Sequence, residues 1–152
     1  MTYTTINRYI LILWERKPIM SITVQWDNPE KTILRQIFDG KWTGPEYYAS
    51  LDEISKMLKE VDHRVHWIGD MSNSVGIPAL NLLAASGRVV KMVEHQFLTV
   101  SVVKAHNYFQ SLVNVVRRMS PALAERVFFV STLDEAYKLL ENRFDGDAAK
   151  AS

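Results

Sequence analysis

The chain has 152 residues, and a hydrophobic fraction of 47% with 23% charged residues is typical of one globular domain with a continuous core. Its 18 basic and 17 acidic residues leave a net charge of +1, so there is no overall field that would favour nucleic acid or an anionic membrane as partner. The absence of cysteine excludes disulfides, thiol nucleophiles and thiolate metal sites, and it fits the reducing cytoplasm.

The apolar run YILILW, Tyr9 to Trp14, stands near the start of the sequence. It is far shorter than the roughly 20 residues that cross a bilayer, so we expect no membrane span. Two interpretations of the N-terminal extension, residues 1–19, stay open: an extra strand, or a stretch upstream of a natural start at Met20. We predict that residues 20–143 form one domain.

The first elements of this domain form a hairpin followed by a helix. Apolar and polar residues alternate over ITVQW, residues 22–26, which predicts a strand with one buried face. The turn DNPE, residues 27–30, leads into a second strand over KTILRQIFDGKW. Thr43 and Glu46 then have the spacing of a capping box, which predicts a helix from this point.

Strands and helices alternate over the rest of the chain. The predicted strands are RVHWIGDM, FLTVSVV and RVFFVS, and the predicted helices span about 78–95, 107–119 and 131–144. A helix after each strand implies right-handed crossovers between parallel strands. The prediction is therefore an α/β fold of order β-β-α-β-α-β-α-β-α, with helices packed on a mixed five-stranded sheet and residues 144–152 as a disordered tail.

Three passages resemble the STAS domain, the fold of bacterial anti-sigma-factor antagonists, and its SpoIIAA-like relatives of the STAS/SEC14 type. They are IFDGKWTGPEYYASLDEI, WIGDMSNSVGIPAL and RVFFVSTLDEAYKLL. The first is similar to the second strand and first helix of the SpoIIAA-like group. The second resembles the third strand with the Asp-Ser-Ser-Gly segment of the family, and the third resembles the closing strand and helix. The likeness covers about Ser21 to Asn142.

The resemblance implies a docking surface around the Asp-Ser-Ser-Gly segment, where a partner kinase phosphorylates the second serine of the antagonists. Aligned on Gly76, the family's acid falls on Asn73 and its phosphoacceptor on Val75, which has no hydroxyl. The candidate binding residues are Asp70, Ser72, Asn73, Ser74 and Gly76. The implied partner is a protein of the anti-sigma regulator type, and the phosphate switch is not expected to be kept at Val75.

Elementary chemistry leaves other roles open for the same stretch. Ser72, Asn73 and Ser74 either satisfy backbone groups at a strand-to-helix junction or hold a phosphate or bound anion at the helix N-terminus. The motif SNSVG lacks the first glycine of a nucleophile elbow, so a serine hydrolase is not favoured. His63 and His66 should point to opposite faces of the chain, so we expect no metal site and no cofactor.

Trp42 lies beside a glycine-containing turn, and two interpretations stay open for it: a position in the core or at its rim, or an exposed position from which it anchors a partner. The leading hypothesis is a non-enzymatic, cytoplasmic STAS-like regulatory domain that docks a protein at the junction of the third strand and second helix. One alternative is a domain of the SEC14-like type that binds a small apolar molecule or lipid. A second alternative is a small hydrolase or isomerase that uses Asp70 or a histidine. A homodimer is compatible with this aromatic-rich composition.

Overall fold

The computed structural model of the chain describes residues 21–76, 78 and 81–151. The strands are β1 (Ile22–Trp26), β2 (Ile33–Gly40), β3 (Val65–Ser74), β4 (Phe97–Val103) and β5 (Val127–Val130). The helices are α1 (Gly44–Leu58), α2 (Leu82–Gln96), α3 (Asn107–Met119), the short α4 (Pro121–Ala124) and α5 (Leu133–Ala151). This order confirms the predicted succession of elements, with α4 as an addition.

Within the described residues the strands form one five-stranded sheet in the order β1-β2-β3-β4-β5. β1 pairs with β2 antiparallel, and the following three pairs are parallel. The predicted mixed α/β sheet is therefore confirmed: a hairpin opens it, and crossover connections build the remainder. β3 lies at its centre, hydrogen-bonded to β2 on one side and to β4 on the other.

The two faces of the sheet are covered by different helices. On one face, Leu51 of α1 and Val93 of α2 pack with Trp67 of β3 in the larger apolar cluster. The next residue of β3, Ile68, points to the opposite face because side chains alternate along a strand. There it packs with Leu140 of α5 in a second, smaller cluster. The first half of β3 thus lies between two helical layers.

β3 is longer than the sequence pattern predicted. The strand was expected to end with RVHWIGDM, but it continues through Ser74. Asn73 and Ser74 pair with Asp39 and Gly40 of β2, so the sheet extends over residues whose polar character indicates a turn when they are considered alone. Pairing with a neighbouring strand has overridden local propensity here.

α2 starts later than predicted. We expected it to begin at Pro78, but its first residue is Leu82 and its N-cap is Asn81. The Asn81 side chain accepts a hydrogen bond from the backbone N–H of Ala84 at 3.2 Å. Asparagine is among the strongest N-cap residues because its side-chain oxygen satisfies an otherwise unpaired N–H of the first turn.

The structure describes the C-terminal end of the chain but not the N-terminal end. α5 runs through Ala151, whereas a disordered tail was expected from residue 144. Alanine and lysine, which dominate the sequence after Asp147, are strong helix formers and favour this continuation. Residues 1–20, including YILILW, lie outside the described residues, so both interpretations of the N-terminal extension stay predictions. None of the helices in the described part of the chain is long and apolar enough to span a membrane.

Candidate functional site

The predicted site residues lie at the end of the central strand and not at the start of a helix. Ser72, Asn73 and Ser74 belong to β3, and the N-cap of α2 is Asn81, further along the chain. These residues therefore do not cap α2, and their role as a binding site stays a prediction. We call Ser72–Gly76 the β3 tip. It stands at the carboxyl end of the parallel strands, the edge at which α/β sheets commonly bind their ligands.

A β-bulge separates the β3 tip from the rest of the strand. Ile37 of β2 is opposite Asp70 and Asp39 is opposite Asn73, so β3 has one residue more than β2 over this stretch. The carboxylate of Asp70 forms hydrogen bonds across the bulge. It accepts hydrogen bonds from the backbone N–H of Ser72 at 3.1 Å and from the Ser72 hydroxyl at 2.6 Å. Bulges bend a strand and redirect its side chains.

Beyond the bulge, the β3 tip is fastened to its neighbours. The indole N–H of Trp42 donates to the Ser74 hydroxyl oxygen at 2.9 Å, and that hydroxyl donates to the carbonyl of Gly76 at 3.1 Å. The backbone N–H of Val75 donates to the carbonyl of Gly40 at 2.9 Å. Gly76 has φ of 73°, a left-handed conformation that glycine adopts without strain.

Trp42 is buried in the core, which decides between the two interpretations of this residue. Only 4% of its surface is accessible, and its ring centroid lies 5.0 Å from that of Phe38 and 5.7 Å from that of Tyr47. Gly40 has φ of 69° and turns the chain after β2, so that Trp42 folds back onto the core. This burial agrees with the core interpretation and contradicts the alternative of an exposed partner anchor. Trp42 contacts the β3 tip from the core side, through its hydrogen bond to Ser74.

The exposure of Val75 is the feature of this region that the sequence did not predict. Its side chain is 61% exposed, and among the residues whose burial the structure defines it is the large hydrophobic side chain classed as exposed. The sequence placed Val75 only as the position of a missing phosphoacceptor. A signal was present, because a β-branched apolar residue stands between polar residues and a glycine in SNSVG.

A polar network joins the β3 tip to α5. The Nε of Arg35 lies 3.2 Å from Oδ1 of Asp27, and Nη1 of Arg35 lies 3.8 Å from Oδ2 of Asp70. The Tyr137 hydroxyl of α5 donates to Oδ2 of Asp27, and the amide of Gln25 donates to Oδ1 of Asp27 at 2.9 Å. Apart from Asp70, sequence reasoning had placed these residues in strands, a turn and a helix without relating them.

Comparison with solved structures agrees with this architecture. The chain is similar to the crystal structure of an uncharacterized protein of the DUF3478 family from Shewanella loihica PV-4, which is described as having a SpoIIAA-like fold. The TM-score is 0.51 at 18% identity, over 78% of this chain and 91% of that one. The chain has a SpoIIAA-like fold. Neither a protein-family model nor a curated protein matches the sequence.

The histidines of this SpoIIAA-like domain are dispersed. His63 is exposed, with Nδ1 3.1 Å from the carbonyl of Arg64, and it follows the end of α1 without being part of it. His66 is buried in β3, with Nδ1 2.6 Å from the Thr99 hydroxyl. Over the described residues, no group of three or more His, Asp or Glu side chains could hold a metal ion.

The SpoIIAA-like domain carries two tyrosines that should make its stability depend on alkaline pH. Burial, followed by the hydrogen bond to Asp27, raises the pKa of Tyr137 to about 12, and burial also raises the pKa of Tyr47. A raised folded-state pKa gives stability that is complete below the unfolded value of 10.0 and is lost as the pH rises through the folded value. We expect the free energy of unfolding to fall above about pH 10, and to fall less steeply in Tyr137→Phe. Denaturant titrations from pH 9 to 12 test this, and equal slopes for the two proteins would contradict it.

Proposed function

We propose that this chain is a non-enzymatic regulatory domain that binds a protein partner through the β3 tip. The observation that carries the proposal is Val75, which projects to solvent from a backbone that is hydrogen-bonded on β2. Single apolar side chains are common on protein surfaces and need no explanation. Val75 differs from them because it directly follows the central strand and its backbone N–H is hydrogen-bonded to the Gly40 carbonyl at 2.9 Å.

Rigid mounting favours binding. Association costs free energy for every side chain and loop that must be ordered, so a segment that is already ordered keeps more of its contact energy. Ser74 and Val75 are held by the Trp42 indole and by the carbonyl of Gly40. The resemblance to the anti-sigma-factor antagonists adds the kind of partner: a cytoplasmic regulator of the anti-sigma type that docks at this end of the sheet.

We further propose that docking here does not depend on phosphorylation. The position that aligns with the family's phosphoacceptor is Val75, which cannot be phosphorylated. The nearest hydroxyl, that of the half-buried Ser74, accepts a hydrogen bond from the Trp42 indole, and the next, that of the exposed Ser72, donates to the Asp70 carboxylate. A phosphate on Ser72 would bring close to two further negative charges against this carboxylate, which is unfavourable. The partner would then be controlled by its concentration or by a change elsewhere in the domain.

A photo-crosslinking experiment tests the proposal. A photoreactive residue at position 75 is expected to capture a protein of discrete mass in cells of the source organism. The same residue at His63, which is exposed before the opposite end of β3 and about 30 Å away, should not capture it. Excess purified wild-type protein should compete for the adduct and Val75→Asp should not. Equal labelling from both positions, or no protein adduct from position 75, would refute docking at the β3 tip.

One observation favours a second candidate function, the binding of a small apolar molecule between the sheet and α1 and α2. The buried indole N–H of Trp67 has no hydrogen-bond partner among the described residues. On the same face of β3, a Cβ added to the buried Gly69 would meet no atom within 4 Å. A ligand with one acceptor atom would satisfy the indole and fill this space. Native mass spectrometry of freshly purified protein is expected to show a retained ligand mass if this function is correct, and the mass of the bare chain if it is not.

A further inference from the structure

We propose that α5 controls the shape of the β3 tip through a relay of polar side chains from Tyr137 to Ser72. The relay runs from Tyr137 to Asp27, then to Arg35, to Asp70 and finally to Ser72. It deepens the proposed function, because it names what regulates the docking surface. It rests on that function only for the biological role of the tip, since the structural coupling is measurable without any partner.

The position of Arg35 between two carboxylates allows a change at Asp27 to affect Asp70. Its guanidinium forms ion pairs with two carboxylates, 3.2 Å from Asp27 and 3.8 Å from Asp70, although its buried Nε has no hydrogen-bond partner among the described residues, and its side chain is 20% exposed. Charges this close in a partly desolvated site attract more strongly than in water, so a small change in one carboxylate moves the guanidinium. The other oxygen of Asp70, Oδ1, accepts hydrogen bonds from the backbone N–H and the hydroxyl of Ser72, where the bulge lies.

The Tyr137 hydroxyl decides how strongly Asp27 attracts Arg35. While Tyr137 and Gln25 donate to Asp27, part of the hydrogen-bonding capacity of that carboxylate is used, and Arg35 also reaches Asp70. When α5 withdraws, Asp27 loses a donor and draws the guanidinium away from Asp70. The Asp70 carboxylate, without its cation, then forms hydrogen bonds with water in place of those from Ser72, and Ser72 is released.

α5 is suited to be the moving element of this relay. It lies on the face of the sheet opposite α1 and α2, and its buried contacts are the small cluster in which Ala136 and Leu140 meet Ile68 and Val103. Elements that bury little apolar surface open at a lower free-energy cost than those of the main core. A partner or ligand that displaces α5 would thereby loosen the bulge, although it binds away from the β3 tip.

Amide hydrogen exchange measured by NMR tests the relay on the whole chain. In Tyr137→Phe and Arg35→Gln we expect the Ser72 amide, which bonds Asp70, to exchange about two- to fivefold faster, the range that a partly exposed ion pair supports. The Val75 amide bonds the Gly40 carbonyl instead and should keep its rate. Arg35→Lys retains the cation and should restore part of the protection at Ser72.

The matched control is Tyr48→Phe, which removes a tyrosine hydroxyl from α1 on the other face of the sheet and should leave Ser72 unchanged. Unchanged exchange at Ser72 in Tyr137→Phe would overturn the relay. Acceleration of Ser72 and Val75 by the same factor would also overturn it, because that result indicates a general loosening. A confirmed relay with no crosslinked protein at position 75 would leave the coupling standing and refute the docking function alone.

Discussion

Trp42→Ala is expected to lower the free energy of unfolding by about 3–5 kcal/mol, the cost typical of removing a buried aromatic side chain. The indole is 4% exposed and contacts the rings of Phe38 and Tyr47. Its N–H also holds the Ser74 hydroxyl. Chemical denaturation measures the total loss, and amide exchange at Ser74 and Val75 should show that the β3 tip loosens beyond the rest of the sheet.

Trp42→Phe is the matched control for this prediction. Phenylalanine keeps most of the ring packing against Phe38 and Tyr47 but cannot donate to Ser74, so the loss should be smaller, about 1–2 kcal/mol. A loss below about 1 kcal/mol in Trp42→Ala would contradict the buried position and would favour the alternative of an exposed Trp42.

Val75→Asp is expected to weaken partner binding at least about tenfold while it changes the free energy of unfolding by no more than about 0.5 kcal/mol. The side chain is 61% exposed, so the isolated domain loses little packing. In the complex, the carboxylate would be buried against an apolar contact without a partner, which is unfavourable. Titration of the crosslinked partner, once purified, gives the affinity, and denaturation of the isolated variant gives the stability.

His63→Asp provides the control for the added charge. It introduces a carboxylate at an exposed position before the opposite end of β3, so it changes the net charge without touching the β3 tip. Partner affinity should then remain within about twofold of the wild type, as expected for a charge lying well beyond the Debye length. Equal weakening by both variants would mean that the partner responds to overall charge, and the β3 tip would lose its role as docking surface.

The fold was largely predictable because its signals are local. Alternation over ITVQW and the capping box at Thr43 and Glu46 each depend on residues close in sequence. The capping box is present with both of its hydrogen bonds, at 2.8 and 3.3 Å. The crossover rule then orders the strands, since a helix between two parallel strands leaves few topologies.

The candidate site was harder to predict because its structure depends on distant residues. Asn73 and Ser74 lie in the sheet only because Asp39 and Gly40 are available to pair with them. The burial of Trp42 likewise depends on a turn at Gly40 that aims it at the core.

The polar network was beyond the reach of a sequence pattern for the same reason. Tyr137 and Asp27 stand 110 residues apart and meet only because α5 returns across the sheet. A pattern of polar residues in one chain shows that each of them needs a partner, but it does not show which one.

The bulge at the base of the β3 tip also bears on changes in chain length. β2 and β3 are in register on both sides of it, with Ile37 opposite Asp70 before and Asp39 opposite Asn73 after. We therefore expect deletion of Ser72 to leave the other pairings between β2 and β3 in place. The length of the β3 tip can therefore change while the scaffold that carries it stays the same.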